Sequence, residues 1–151
     1  MGKFLTLENA RLLNSWTLDE KSALAYFLKA KSFKAGEIIF DRLSKGSQLV
    51  FVSSGTVKLS AENYSFEVSE GSSFGELSLV QDVPKRVSAT ASSDVEVLSL
   101  DGHQWIELKR NAPSVAVKLL ESIINKVSRE IANFELPGKS QWAKLASGGS
   151  V

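Results

Sequence analysis

The sequence predicts an α+β domain that is mainly β: a small barrel or jelly roll with helices before it and a long helix after it. Three observations carry that expectation. Between about Phe33 and Leu100, short β-rich runs alternate with glycine and serine turns. Before them stands a helix-start signal followed by apolar positions. After them, a proline-led stretch keeps a heptad repeat. The length, 151 residues, suits one domain with a short appendage, large enough to bury a proper core.

Residues 6–31 read as helical. Thr17-Leu18-Asp19-Glu20 is a capping box, in which the Thr17 hydroxyl accepts from an orphan amide while Glu20 reaches back. Leu24, Tyr26, Phe27 and Leu28 follow, so an N-terminal helix pair packed on the rest is expected. The roll itself spans about 32–100. Ile38-Ile39-Phe40, Leu49-Val50-Phe51-Val52 and Thr56-Val57-Lys58-Leu59 are its first strands. Tyr64, Phe66 and Val68 alternate with Ser65 and Glu67, the period of a half-buried strand. Val95, Val97 and Ser99 alternate with Glu96, Leu98 and Leu100 in the last one. Gly36, Gly46, Gly55, Gly71 and Gly75 mark turns that call for positive φ.

Helix returns over 102–135. Gly102 to Arg110 forms a short one, and Pro113 suits the first turn of a long one, where its missing amide costs nothing. Val117, Leu120, Ile124, Val127, Ile131 and Phe134 recur at spacings of 3, 4, 3, 4 and 3. Such a seam favours a homodimer through this helix, and Ala116, Leu119 and Ile123 widen it on one side. Pro137-Gly138 ends the helix, giving a single domain over 1–136 and a tail over 137–151.

Composition removes several function classes. With 43% hydrophobic and 23% charged residues, the chain is an ordinary globule and not a disordered segment. A formal charge of +1 gives no general case for a nucleic-acid or anionic-membrane binder. The tail carries two of the eighteen basic residues and none of the seventeen acids, so 1–136 is net −1. No cysteine means no disulfide framework, thiol nucleophile or thiolate metal site, and one histidine, His103, excludes a histidine-rich metal centre. No run approaches the ~18 apolar residues of a spanning helix, and the N-terminus lacks the layout of a secretion signal. Met1-Gly2-Lys3-Phe4-Leu5-Thr6 fits the loose myristoylation pattern, which chance also produces, and the chain reads as cytoplasmic.

Gly71-Ser72-Ser73-Phe74-Gly75 matches the G-x-S-x-G of a hydrolase nucleophile elbow. That motif works on a strand-to-helix turn of an α/β fold with a histidine base, and a β-roll with one histidine is the wrong context. The reading is therefore not an enzyme. The same stretch, continued as Glu76-Leu77-Ser78-Leu79 and then Pro84-Lys85-Arg86-Val87-Ser88-Ala89-Thr90-Ala91, resembles the phosphate-binding cassette of the cyclic nucleotide-binding domain family. Ala35-Gly36-Glu37-Ile38-Ile39-Phe40, the stretch from Leu49 to Leu59, and Val95 to Asp101 resemble other signatures of that family, in the right order. The resemblance covers about 15–135. It implies a double-stranded β-helix jelly roll and a cAMP or cGMP ligand, with no other cofactor.

By that resemblance Phe74, Gly75, Glu76 and Leu77 would hold the phosphate and ribose from one side, and Lys85, Arg86, Val87 and Ser88 from the other. A helix starting near Gly75 would offer free amides and a positive dipole end, and Glu76 would accept from the ribose hydroxyl. The sequence departs from the family where an arginine should fork onto the phosphate. Lys85 stands there as a point charge, and Arg86 fills the following small-residue position. Arg86 could substitute only by a one-residue strand slip, which turns every neighbour to the other face. Ser128 and Ile131 are the candidate base contacts on the long helix.

The resulting expectation is a stand-alone regulatory module that senses cAMP or cGMP and signals through its C-terminal helix to a partner protein. Only sixteen residues follow Glu135, too few for the DNA-reading domain of the family's transcription regulators. The alternative is a degenerate roll whose pocket Arg86 fills, serving as a dimeric interaction scaffold.

Overall fold

The computed structural model describes residues 2–81 and 83–133. Phe134 of the expected seam, and the tail, lie outside the described residues. Helix α1 (Lys3–Asn9) and a single 3-10 turn (Arg11–Leu13) lead into α2 (Leu18–Ala25). The capping box forms as expected: the Glu20 amide donates to the Thr17 hydroxyl at 3.2 Å, and the Thr17 amide donates to the Glu20 carboxylate at 2.7 Å.

The expected helix over 6–31 ends early. The chain leaves α2 at Ala25, and Lys29–Phe33 forms strand β1. Lys29, Lys31 and Phe33 face Ser99, Val97 and Val95 in an antiparallel ladder. Helix propensity is a weak preference, and this long-range pairing overrides it.

Seven further strands follow: β2 (Ile38–Phe40), β3 (Gln48–Ser54), β4 (Val57–Ser60), β5 (Ser65–Val68), β6 (Ser73–Phe74), β7 (Ser88–Ala91) and β8 (Val95–Asp101). They pair as two antiparallel four-stranded sheets, in the orders β1-β8-β3-β6 and β2-β7-β4-β5. The result is the expected β-roll. Strand β3 explains its own continuous apolar run. Leu49 and Phe51 face a core shared with the helices, while Val50 and Val52 face a core between the sheets. A strand buried on both faces does not alternate. Strand β5 is the opposite case. It is an edge strand, so Phe66 and the preceding Tyr64 are 48% and 62% exposed and only Val68 is half-buried.

Helix α3 (Gly102–Asn111) places Trp105 and Leu108 under the first sheet, and the Trp105 indole donates to the Leu79 carbonyl at 3.1 Å. Helix α4 (Pro113–Asn133) begins at the expected proline. It buries Ala116, Leu119 and Ile123 against the same core, with Leu120 and Val127 packed beside them. The seam therefore divides. Val117, Ile124 and Ile131 are half or more exposed, while the wider side of the stripe serves the chain's own core.

Candidate ligand pocket

The five punctuating glycines all have positive φ, and at Gly75 the conformation carries the site. Its φ is +84°, and a Cβ there would come within 2.2 Å of the Gln48 carbonyl. Only glycine takes that backbone without strain or collision. It turns β6 into a four-residue 3-10 turn, Glu76–Leu79. Ser78 staples the turn down: its hydroxyl donates to the Gly75 carbonyl at 2.6 Å and accepts from the Gln48 amide at 2.8 Å.

Glu76 is turned into the molecule and its side chain is only 12% exposed. Its Oε1 accepts from the Ser73 hydroxyl at 3.3 Å and from the ammonium of Lys126, which α4 delivers. The same ammonium donates to the Ser73 carbonyl at 3.0 Å and lies 3.9 Å from Glu130. Ser73, the would-be nucleophile, is thus buried in β6 as a support for Glu76, away from any elbow.

Across the cavity, Lys85 points into the roll. It is 8% exposed, its ammonium donates to the Gly46 carbonyl at 3.0 Å, and it stands 5.1 Å from the centre of the Phe40 ring. Its backbone is clamped on the preceding loop by Leu43 N–H to Lys85 O and Lys85 N–H to Ser44 O, both 2.8 Å. Burial lowers its pKa from the ordinary 10.5, and the charge of Asp101 only partly opposes this. Arg86, in the bend just before β7, is exposed.

A cavity of about 330 Å³ lies between these groups, bordered by Phe40, Gly75, Glu76, Leu77, Lys85 and Val87, with Arg86 on its rim. That volume is at the small end of the ~300–1,000 Å³ of small-molecule sites. A second cavity of about 580 Å³ shares Tyr64, Gly75, Glu76, Val87 and Glu130 with it and continues past Phe66 and Phe74 to α4. The two cavities adjoin at Glu76.

Three expected residues are elsewhere. Ser88 borders neither cavity; its hydroxyl accepts from the Arg42 amide at 2.8 Å. Ser128 and Ile131 are exposed and border neither cavity. They share a helical face with Ile124, turned from the roll, because positions three and four apart lie together. Lys126, Arg129 and Glu130 face the larger cavity instead. The signal was present: Leu119, Ile123, Lys126 and Glu130, at spacings of 4, 3 and 4, prolong the buried stripe. Among the described residues no cluster of three acidic or histidine side chains could hold a metal, and no helix is long and apolar enough to cross a membrane.

Roll, glycine turn, inward glutamate and inward lysine together define a β-roll with a cavity lined by groups of both charges. Comparison with known proteins gives the class a family. The model of the cyclic nucleotide-binding domain matches residues 30–111, and the chain belongs to that family. A cAMP-dependent protein kinase regulatory subunit of Hypocrea atroviridis is 32% identical over 95 residues, covering 62% of this chain and 21% of that protein. Its counterpart in Dictyostelium discoideum is 26% identical over 137 residues, covering 85% and 42%. The chain thus spans less than half the length of these relatives. Among solved structures, the Thermus thermophilus catabolite activator protein is 25% identical with a TM-score of 0.65, covering 79% of this chain and 59% of that one. The N-terminal domain of a Streptomyces coelicolor transcriptional regulator, 22% identical, shares the fold with a TM-score of 0.70, covering 83% and 92%.

Proposed function

We propose that this chain is a regulatory domain that binds cAMP or cGMP in the cavity around Glu76 and transmits occupancy through α4. One observation carries the reading: a cavity of about 330 Å³ brings Gly75, Glu76 and Lys85 to one space. The cyclic phosphate sits toward Lys85 and the Gly75 turn, with Arg86 at the rim adding positive charge. The ribose hydroxyl donates to Glu76, whose Oε1 alone is taken by Ser73 and Lys126. A lysine neutralises the phosphate without the fork of an arginine, so affinity leans more on Glu76 and on burial. The scaffold alternative needs Arg86 to fill the pocket, and Arg86 is exposed at its rim.

Lys126 makes the link to output. It belongs to α4 and grips the group the ribose uses, so ligand and helix position are coupled. The opposite face of α4 presents Val117, Ile124 and Ile131 at seven-residue intervals, the repeat of a self-pairing seam. We assign that face to a second copy of the chain, and the signal passes from the dimer to a partner protein.

Titration calorimetry with cAMP and cGMP tests the binding step. Glu76→Gln removes a charge-assisted bond and should weaken binding by about tenfold or more. No heat and no thermal shift at millimolar concentrations of either nucleotide would overturn the proposal.

A further inference from the structure

We infer that a cationic groove on the outside of the roll docks an acidic segment of a partner protein. The groove measures about 440 Å³ and is bounded by the loop after β2, the turn joining β4 to β5, and the segment before β7. Among the described residues, Arg42, Lys85 and Arg86 line it against a single carboxylate, Glu62, although residues 1–136 together are net −1. Its positive character is therefore local. Arg42 meets Glu62 only as an exposed pair at 3.5 Å. Such a pair is weak, so a better-placed carboxylate can take the guanidinium fork.

The walls add apolar surface, since Leu43, Tyr64 and Val83 are all exposed there. Leu43 is the sharper sign. Among the described residues it is the one non-glycine with positive φ, +71°, a costly conformation for a leucine. The bond from its amide to the Lys85 carbonyl, and that from the Ser44 hydroxyl to the Asp41 carbonyl at 2.6 Å, hold the loop in place. The strain presents an apolar side chain, 65% exposed, beside a guanidinium. A partner's apolar residue flanked by carboxylates complements both. The chain's own tail does not, because 137–151 carries two lysines and no acid. A nucleic acid would bring phosphates against Glu62 and no aliphatic side chain for Leu43 and Val83. The groove shares Arg86 with the smaller cavity, but Arg42 and Leu43 border neither that cavity nor the larger one, so docking does not rest on the nucleotide reading.

Fluorescence anisotropy on the full chain, with no nucleotide added, tests this. The probe is a short labelled peptide of aspartates and glutamates around one leucine. It should bind in the micromolar range, and its asparagine and glutamine counterpart at least about tenfold more weakly. Arg42→Glu should weaken the acidic peptide about tenfold or more, while Lys29→Glu, the same charge change on β1, should move it less than about twofold. Leu43→Gly should weaken it several-fold with the urea midpoint held or raised, because glycine takes this φ without strain. No binding of the acidic peptide, equal losses from Arg42→Glu and Lys29→Glu, or a Leu43→Gly variant that binds as tightly as the parent or unfolds earlier overturns the inference. Tighter binding of a labelled single-stranded oligonucleotide assigns the groove to nucleic acid and overturns it too. None of these outcomes bears on the pocket, and failure of cAMP and cGMP to bind leaves the docking groove standing.

Discussion

Lys85→Met separates a ligand-binding lysine from a structural one. Lys85 is 8% exposed, and among the described residues its ammonium donates one hydrogen bond, to the Gly46 carbonyl. Losing that bond costs about 1.5–3 kcal/mol, and losing the Phe40 ring contact about 0.5–2 kcal/mol. Against this, the variant no longer removes a cation from water, a penalty of several kcal/mol. Methionine fills nearly the same space, so no cavity term enters. Gly46 is exposed, and water can satisfy its freed carbonyl. The terms nearly cancel, leaving stability within about 1 kcal/mol of the parent while nucleotide affinity falls about tenfold or more.

Urea unfolding and calorimetry on the same preparations give both numbers. A stability loss above about 2 kcal/mol, or unchanged affinity, would refute the reasoning. The pH dependence adds a check with a defined sign. Burial holds the folded pKa of Lys85 below the ordinary 10.5. Below the folded value, both states keep the proton and the penalty is fully present. Between the folded value and 10.5 the unfolded chain binds more protons, so stability rises with pH in that window. The methionine variant should lack the rise.

Two further outcomes follow from the helices. Hydrogen bonding from Lys118, and from the Thr17 amide of the capping box, lowers the Glu20 pKa from 4.5 to about 2. Its contribution is complete above pH 4.5 and lost as pH falls through about 2, so the urea-midpoint gap between the parent and Glu20→Gln should narrow over that window; a gap constant with pH contradicts it. On the outer face of α4, Ile124 is 61% exposed, and Ile124→Glu should convert a dimer to a monomer of unchanged helicity in light scattering. A parent that is monomeric throughout the micromolar range would remove the self-paired seam.

Much of this arrangement was legible in the residues. Positive φ at Gly75 follows from its turn context, whereas which of Lys85 and Arg86 enters the roll stayed open in the sequence and is decided by the loop that clamps Lys85. What failed was non-local. Nothing in Lys29-Ala30-Lys31-Ser32-Phe33 announces a strand; its ladder with β8, seventy residues away, makes it one. The cavity-facing side of α4 failed for a different reason. That helix carries two overlapping stripes, one running from Val117 through Ile131 and one from Leu119 through Glu130. Both satisfy helical spacing, and only docking on the roll shows which is covered. The polar residues at the end of the covered stripe, Lys126 and Glu130, meet the cavity only because the roll lies beside them.

Lys126 joins the helix to the pocket wall by its ion pair with Glu76. Glu76 and Lys126 are 12% and 26% exposed, so their attraction is less screened than at an open surface. A hydroxyl donated to Glu76 shares the carboxylate with Lys126, and whatever weakens that grip loosens the end of α4. Linkage makes the effect mutual: a helix held on Glu76 lowers nucleotide affinity by the same factor by which nucleotide loosens the helix. The buried stripe from Ala116 to Ile123 stays packed in either case, because it touches the sheet and helix core rather than the pocket. Beyond Ile123 the exposed stripe continues through Ile124 and Ile131. On the function proposed above, the pocket-facing side and the outward side lie on the same turns of one helix, so a single ion pair would carry occupancy from one to the other.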